Sequence, residues 1–179
     1  MIYTTYYNSP VGKILIASKE NKLIGLWIEG QKYYLSKLKS EIQEKKDEEI
    51  LMKTKKWLDK YFSGEKPEIE QLELAPIGSE FRQKVWKLLC EIPYGEVTTY
   101  GKLAKKLAKS MKKETMSAQA IGGAVGHNPI SIIIPCHRVV GTNGSLTGYA
   151  GGIDKKIKLL ELEKVDMKRL FVPKKGSAL

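Results

Sequence analysis

An apolar run at residues 130–134, Ile-Ser-Ile-Ile-Ile, lies between two prolines and leads directly to Cys136 and His137. Because such a run is typical of a buried strand, we expect Cys136 to lie where a core strand ends and a pocket opens. A nucleophile needs this combination of rigidity and access. The thiolate is the reactive form of cysteine, and a neighbouring base or cation favours it near neutral pH. The segment therefore predicts a reactive cysteine at the edge of a hydrophobic core.

The length and the cysteine content limit the classes of protein. A chain of 179 residues can bury a core without disulfides or metals. Two cysteines and two histidines give neither a disulfide framework nor the spacing of a zinc site, so we expect no metal and no cofactor. Reduced thiols, and the lack of a visible signal peptide, favour a cytoplasmic protein. We expect no membrane partner, because no apolar run approaches membrane-spanning length.

Positive charge is concentrated in the second part of the chain. Residues 1–75 hold 13 lysines against 12 acidic residues, whereas residues 76–179 hold 18 basic against 8 acidic residues. A polyanion such as nucleic acid is the natural partner of this part. The plainer alternative is that the lysines serve solubility.

The first part of the chain reads as a small β-meander followed by helices. Turn-forming residues separate the strands, and apolar residues at helical spacing follow them. A polar, extended stretch then ends near Pro76, and we place the domain boundary after residue 75. The expected elements are strands at 2–7, 11–17 and 23–28 and helices at 33–44 and 49–62.

The second part reads as short helices that include a helix-turn-helix. Ser79 and Thr99 are predicted to cap the first two helices. A third helix, 118–125, contains almost only small residues. Small side chains fit either tight packing against another helix or close approach to a narrow ligand. The third helix lacks the long polar side chains that read the major groove, so it is a poor reader of sequence. Its small residues are compatible instead with the narrow minor groove of DNA.

The last helix brings a carboxylate to its buried side. Leu159 and Leu160 point inward, and Glu163 shares their side by helical spacing. His137 is the natural partner of this carboxylate. A relay follows in which Glu163 orients the imidazole and His137 takes the proton of Cys136, directly or through water. Plainer alternatives are a surface glutamate paired with a lysine, a core histidine bonded to the backbone, and a cysteine that only packs.

The motif Pro-Cys-His-Arg-Val, preceded by Gly-His-Asn-Pro and followed by Gly-Tyr-Ala-Gly-Gly, resembles the O6-alkylguanine-DNA alkyltransferases, also called methylated-DNA–protein-cysteine methyltransferases. The likeness extends from about Phe81 to Glu163. It implies an α+β protein of two parts. Residues 1–75 are expected to form a ribonuclease-H-like small sheet with helices, residues 76–165 a helix-turn-helix, winged-helix-like alkyltransferase domain, and residues 166–179 a basic tail.

The resemblance implies DNA repair by direct reversal. A base is flipped out of the duplex, and Cys136 takes the alkyl group irreversibly from O6-alkylguanine, with O4-alkylthymine as a second candidate substrate. In this family pattern His137 is the water-linked base, Glu163 orients it, Tyr100 protonates the departing base and Asn128 braces the turn before the cysteine. The partner is double-stranded alkylated DNA, bound through its minor groove by a monomer. The implied contacts with DNA or the flipped base are Gln119, Ala120, Gly123, Val125, Arg138, Val139, Tyr149, Ala150, Lys102 and Lys106.

One departure from the family pattern concerns Gln119, because family members often carry at this position an arginine that fills the gap left by the flipped base. Glutamine lacks that charge and reach. This leaves open a non-reactive protein that binds alkylated DNA, although the intact Cys136-His137 pair argues against it. A Cys-His-Glu hydrolase of small substrates is a third alternative, which the basic second part of the chain disfavours.

Overall fold

The computed structural model describes residues 1–35, 38 and 40–174, and it divides the chain into two compact units. The first unit comprises Met1–Ile77 and Pro129–Ile133. The second comprises Gly78–Asn128 and the chain from Ile134 onward. Within the described ranges, no helix has the length and apolar character needed to cross a membrane.

The first unit is built on a four-stranded sheet in the order β3-β2-β1-β4. Its strands are β1 (Ile2–Ser9), β2 (Gly12–Lys19), β3 (Lys22–Ile28) and β4 (Ile42–Glu44). The first three strands are antiparallel neighbours, and β4 runs parallel to β1. In β2, Ile14 and Ile16 alternate with Leu15 and Ala17, and all four are buried. Because both faces of this central strand are covered, its sequence is continuously apolar rather than alternating.

Helix α1 (Glu49–Phe62) completes the core of the first unit. Its apolar residues recur at helical spacing, so one face is buried. Burying one leucine such as Leu58 stabilises the fold by about 2 kcal/mol relative to leaving it exposed. The buried residues of α1 are Ile50, Leu51, Thr54, Trp57, Leu58 and Tyr61.

The helix expected at 33–44 is not what the described residues form. Tyr33 and Leu35 have positive φ values of 60° and 53°, which a right-handed helix does not allow. The segment instead ends in β4, which extends the sheet beside β1. The hydrogen bonds of this edge pairing outweigh the helical pattern of the sequence. The rest of the expected helix, residues 36, 37 and 39, lies outside the described residues.

The second unit contains four α-helices and a two-stranded parallel sheet within the described ranges. Three of the helices begin at a serine or threonine, Ser79, Thr99 or Ser117, whose side-chain oxygen accepts a hydrogen bond from the backbone N–H three residues later. Such caps satisfy amide groups that a helix leaves free at its start. The elements are α2 (Glu80–Cys90), α3 (Tyr100–Ser110), α4 (Ala118–Gly126), α5 (Ile153–Leu162), β5 (Thr98–Thr99) and β6 (Val139–Val140).

The apolar run at residues 130–134 does not form the predicted strand. It makes one isolated bridge at Ile130 and then turns at Ile132, where φ is 71° and the flanking residues are joined by a backbone hydrogen bond of 2.8 Å. A second three-residue turn, at Pro135, ends with the N–H of Cys136 donating to a carbonyl 2.8 Å away. These tight turns satisfy backbone groups that a strand would pair with a neighbour. Cys136 therefore follows a turn rather than a strand.

Candidate active site

Cys136 begins a single 3-10 turn, Cys136–Arg138, and its side chain is buried. The side-chain amide of Asn128 donates to the Cys136 Sγ at 3.1 Å and to the carbonyl oxygen of Ile134 at 2.8 Å. Asn128 is itself buried, just beyond the end of α4. One amide therefore fixes both the sulfur and the turn that precedes it.

The two residues after Cys136 both bind Glu163, which follows the last turn of α5. The Nε2 atom of His137 lies 2.5 Å from Oε2 of Glu163, and Nε of Arg138 donates to Oε1 at 2.6 Å. The backbone N–H of Gly95 also donates to Oε1, at 3.3 Å. Glu163 and His137 are buried, so the carboxylate, the imidazole and the guanidinium form one enclosed network.

The charge states of this network follow from its contacts. Burial acts to raise the pKa of Glu163, but the hydrogen bond from His137 and the hydrogen bond and charge of Arg138 outweigh it and lower the pKa to about 2. Burial lowers the pKa of His137, and the hydrogen bond to Glu163 compensates only in part. His137 is therefore neutral at neutral pH, and its proton lies on Nε2, facing the ionised carboxylate. Its Nδ1 is buried and has no hydrogen-bond partner among the described residues, which leaves a lone pair that can accept a proton.

The thiol of Cys136 is the protonated form at rest. Burial raises its pKa, and the contacts that oppose this effect, the Asn128 amide, the charge of Lys156 and nearby backbone N–H groups, compensate only in part. The sequence led us to expect a thiolate near neutral pH. In this environment the thiolate must instead form during the reaction, when a base removes the proton.

Lys156 was not identified from the sequence. It lies on α5 with no exposed surface, and its Nζ donates to the carbonyl oxygens of Val139, at 2.5 Å, and Thr147, at 2.8 Å. The hydroxyl of Tyr100 donates to the same Thr147 oxygen at 3.1 Å. Helical spacing could have found Lys156, because it precedes Leu159 and Leu160 by three and four residues and so shares their buried side.

An aromatic residue lies beside the imidazole. The ring centroids of Tyr149 and His137 are 6.4 Å apart, and the rings meet edge to face at 76°. Tyr149 is buried, and Ala150 is partly exposed. The chain from 141 to 152 thus brings one of the predicted contact residues, Tyr149, against the relay.

The predicted DNA-contact residues divide into exposed and buried groups. Gln119, Ala120 and Gly123 lie on the exposed face of α4, and a side chain added at Gly123 would meet no described atom within 4 Å. Lys102 and Lys106 on α3 are exposed, and Lys106 pairs with a glutamate, Glu91, at 2.6 Å.

Three residues of the predicted contact set are buried. The side chains of Val125 and Val139 have 2% and 0% of their surface exposed, because both pack in the core of the second unit. Arg138 is 6% exposed and donates to Glu163 and to the carbonyl oxygen of Ile92. All three side chains are enclosed by the second unit, and their contacts with DNA or the flipped base stay predictions.

The described residues offer no cluster of three or more histidines, cysteines or carboxylates that could bind a metal ion.

Two family models match the chain. The model described as 6-O-methylguanine DNA methyltransferase, ribonuclease-like domain, matches residues 2–76. The model described as 6-O-methylguanine DNA methyltransferase, DNA binding domain, matches residues 80–165. These matches confirm the predicted fold class, a ribonuclease-like first part with a small sheet and a DNA-binding second part.

Individual relatives are similar over most of the chain. The methylated-DNA–protein-cysteine methyltransferase of Haemophilus influenzae is 41% identical over 165 residues, which are 92% of this chain and 87% of the relative. That of Methanosarcina acetivorans is 42% identical over 167 residues, 90% of this chain and 98% of the relative. Among solved structures, Mycobacterium tuberculosis OGT in complex with DNA superimposes with a TM-score of 0.77 at 39% identity, covering 90% of this chain and 93% of that one.

Proposed function

The chain belongs to the family of methylated-DNA–protein-cysteine methyltransferases, and we propose that it repairs DNA by moving an alkyl group from O6-alkylguanine to Cys136. The observation that carries this assignment is the buried sequence Cys136-His137 with Glu163 2.5 Å from the imidazole. A protein that only bound lesions would not need a base poised beside its cysteine.

The reaction we propose begins at the thiol. The free Nδ1 of His137 accepts the proton of Cys136, through a bridging water, and the ionised Glu163 stabilises the imidazolium that forms. The thiolate then attacks the alkyl carbon. A carbon–sulfur bond forms as the bond from carbon to O6 of guanine breaks, and the electron pair of that bond stays with the base.

The departing guanine needs a proton. Burial, together with the nearby charge of Cys136, raises the pKa of Tyr100, so its hydroxyl is protonated and can donate. The imidazolium of His137 then returns its proton through solvent to the Tyr100 phenolate. The net result moves one proton from the thiol to guanine and leaves a thioether at Cys136. A thioether is neither acidic nor readily cleaved, so each molecule reacts once.

The proposed DNA interface uses the exposed face of α4. Small residues at Ala120 and Gly123 allow close approach to the minor groove, and Gln119 takes the place of the flipped base. Lys102 and Lys106 contact phosphates. We propose that the protein acts as a monomer without metal or cofactor, and in the cytoplasm, whose reducing conditions keep Cys136 a free thiol.

We retain residues 1–75, 76–165 and 166–179 as the proposed domain division. Of the tail, residues 175–179 lie outside the described residues.

Peptide mass spectrometry tests the proposal. After incubation with a duplex that contains O6-methylguanine, the peptide with Cys136 should gain one methyl group, and the peptide with Cys90 should gain none. Cys136→Ala should bind the same duplex without a mass change. If wild-type protein binds the lesion but its Cys136 peptide stays unmodified, the lesion-binding alternative is correct. Repeated hydrolysis of an ester substrate would instead favour a hydrolase.

A further inference from the structure

Lys156 is a buried cation for which the reaction proposed above has no role. We propose that Lys156 is a positioning residue for alkyl transfer: its ammonium group joins the segment after Cys136 to the loop that carries Tyr149, and its positive charge favours the Cys136 thiolate. This inference rests on the proposed function, because it concerns the same cysteine.

Complete burial of the Lys156 ammonium group costs free energy. A lysine is almost never fully buried without a partner, because its charge loses the hydration of water. Both hydrogen bonds of Lys156 go to backbone carbonyls, Val139 and Thr147, and neither acceptor is charged. A core packed for stability alone would place an apolar side chain here. The retained charge therefore indicates a role in the chemistry of the site.

The two carbonyl groups that bind Lys156 belong to two different segments of the site. Val139 lies in β6, three residues after Cys136, and Thr147 lies two residues before Tyr149. The oxygen of Thr147 also accepts the hydroxyl of Tyr100. One ammonium thus holds the loop against the segment after the nucleophile and shares an acceptor with the phenol that we assign as proton donor. Losing it would leave the positions of Tyr100 and Tyr149 less fixed relative to the sulfur.

Lys156 also has an electrostatic effect on Cys136 and His137. The charge of Lys156 acts to lower the pKa of Cys136 and of His137. In return, burial lowers the pKa of Lys156 to about 8, and the charge of a Cys136 thiolate opposes that shift. The other titratable groups in contact with these residues include Tyr100 from α3, Tyr149 beside His137, and the paired Arg138 and Glu163. Lys156 therefore assists ionisation of the thiol and also keeps His137 neutral, ready to accept a proton.

Reactivity of the free protein with iodoacetamide tests the charge without DNA. In a Cys90→Ser background, Cys136 is the only thiol, and its alkylation rate is followed from neutral to alkaline pH. Lys156→Met should move the midpoint to higher pH and slow methyl transfer from O6-methylguanine duplex by about tenfold. Lys156→Arg should restore most of the midpoint. Lys158→Met, which removes an exposed lysine from the same helix, should change neither quantity.

Several outcomes would overturn the inference. A midpoint that Lys156→Met leaves unchanged would show that the lysine does not act on the thiol, even if transfer slows because the fold loosens. Equal transfer by Lys156→Met and wild type would exclude a positioning role. If wild type shows no transfer at all, the proposed function fails, but the iodoacetamide midpoints still report on the pair.

A titration without any change at Lys156 covers the case in which Lys156→Met does not fold. With lysines labelled at the ε-carbon, the NMR signal of Lys156 should titrate with a midpoint well below that of the exposed lysines, because burial lowers its pKa to about 8. In Cys136→Ser, which has no thiolate, this midpoint should shift to lower pH. An identical midpoint in both proteins would contradict the coupling.

Discussion

The guanidinium Nε of Arg138 lies 2.6 Å from Oε1 of Glu163, and both side chains are enclosed by the second unit. This pair gives the arginine of the Pro-Cys-His-Arg-Val motif an internal role. It supplies the charge that keeps Glu163 ionised, and an ionised Glu163 keeps the His137 proton on Nε2. The arginine therefore acts on the cysteine through two intermediaries, Glu163 and His137.

Arg138→Met tests that internal role. Methionine fills a similar volume but removes the cation that pairs with Glu163, so we expect the free energy of unfolding to decrease by about 3 kcal/mol. Urea denaturation measures this, with the exposed Arg169→Met as the matched control. DNA affinity should keep the same dependence on salt, because no phosphate contact is lost. A shallower salt dependence in Arg138→Met would show that Arg138 contacts a phosphate of the DNA.

Stability should fall in acid in a way that depends on Glu163. Its pKa is about 2 in the folded protein and 4.5 ordinarily, so its contribution is present above 4.5 and disappears as pH falls from 4.5 towards 2. His137 acts in the same direction, because its pKa is lowered in the folded protein. As pH falls below 6.5, its ordinary value, the imidazole becomes protonated in the unfolded chain before it does in the folded protein, so stability decreases. Urea unfolding at a series of acidic pH values measures both effects.

Glu163→Gln should remove the lower part of that acid dependence, on the order of 3 kcal/mol. Glu161→Gln, an exposed change in the same helix, should retain it. An unchanged acid profile in Glu163→Gln would mean that another group controls acid unfolding.

Asn128→Ala should affect both the turn and the sulfur. It leaves the buried carbonyl of Ile134 without its side-chain donor, which we expect to cost about 2 kcal/mol. The thiolate of Cys136 also loses a donor, so methyl transfer should slow roughly tenfold. Thermal melting and single-turnover transfer give the two values, with the exposed Asn8→Ala as control. Normal transfer in a destabilised Asn128→Ala would restrict this residue to a structural role.

The lysines of α3 can be separated by their pairing. Lys102→Ala should weaken binding to all duplexes and make the plot of log affinity against log salt about one unit less steep. Lys106 is paired with Glu91, so Glu91→Gln should strengthen binding by releasing it. Fluorescence anisotropy over a salt series measures both, and Lys56→Ala in the first unit serves as control. A loss of affinity in Lys56→Ala as large as in Lys102→Ala would argue against α3 as the phosphate-binding face.

Gln119→Arg tests how the flipped state is held. Arginine adds reach and charge on the exposed face of α4, so transfer from O6-methylguanine in duplex should accelerate severalfold. Transfer from a free O6-alkylated base, which needs no flipping, should stay the same and is the internal control. Equal acceleration with both substrates would show that residue 119 acts on the cysteine rather than on the duplex.

Helical spacing predicted the buried side of α5 well but was applied unevenly. It placed Glu163 beside Leu159 and Leu160, and the structure brings Glu163 to His137. The same spacing includes Lys156, which we overlooked because lysines are ordinarily at the surface. The helical period of α5 therefore indicated that Lys156 is buried, although its residue type is ordinarily found at the surface.

Tertiary contacts decided the elements that the sequence misassigned. The apolar run before Cys136 has the composition of a strand, yet prolines at both ends and a left-handed Ile132 fold it into turns. The stretch at 33–44 has helical periodicity, yet part of it pairs with the edge of the sheet as β4. Arg138 was expected to contact DNA or the flipped base from the family resemblance, and the sequence did not reveal its hydrogen bond to the buried carboxylate of Glu163.

The burial of Cys136 also bears on how long the protein survives unused. Thiolates react with peroxides and disulfides far faster than thiols do, and only where these oxidants can reach the sulfur. A molecule that is consumed by a single alkylation gains from a sulfur that ignores oxidants until a damaged base enters. The number of molecules ready to act then depends on synthesis and on exposure to lesions, and little on the redox history of the cell.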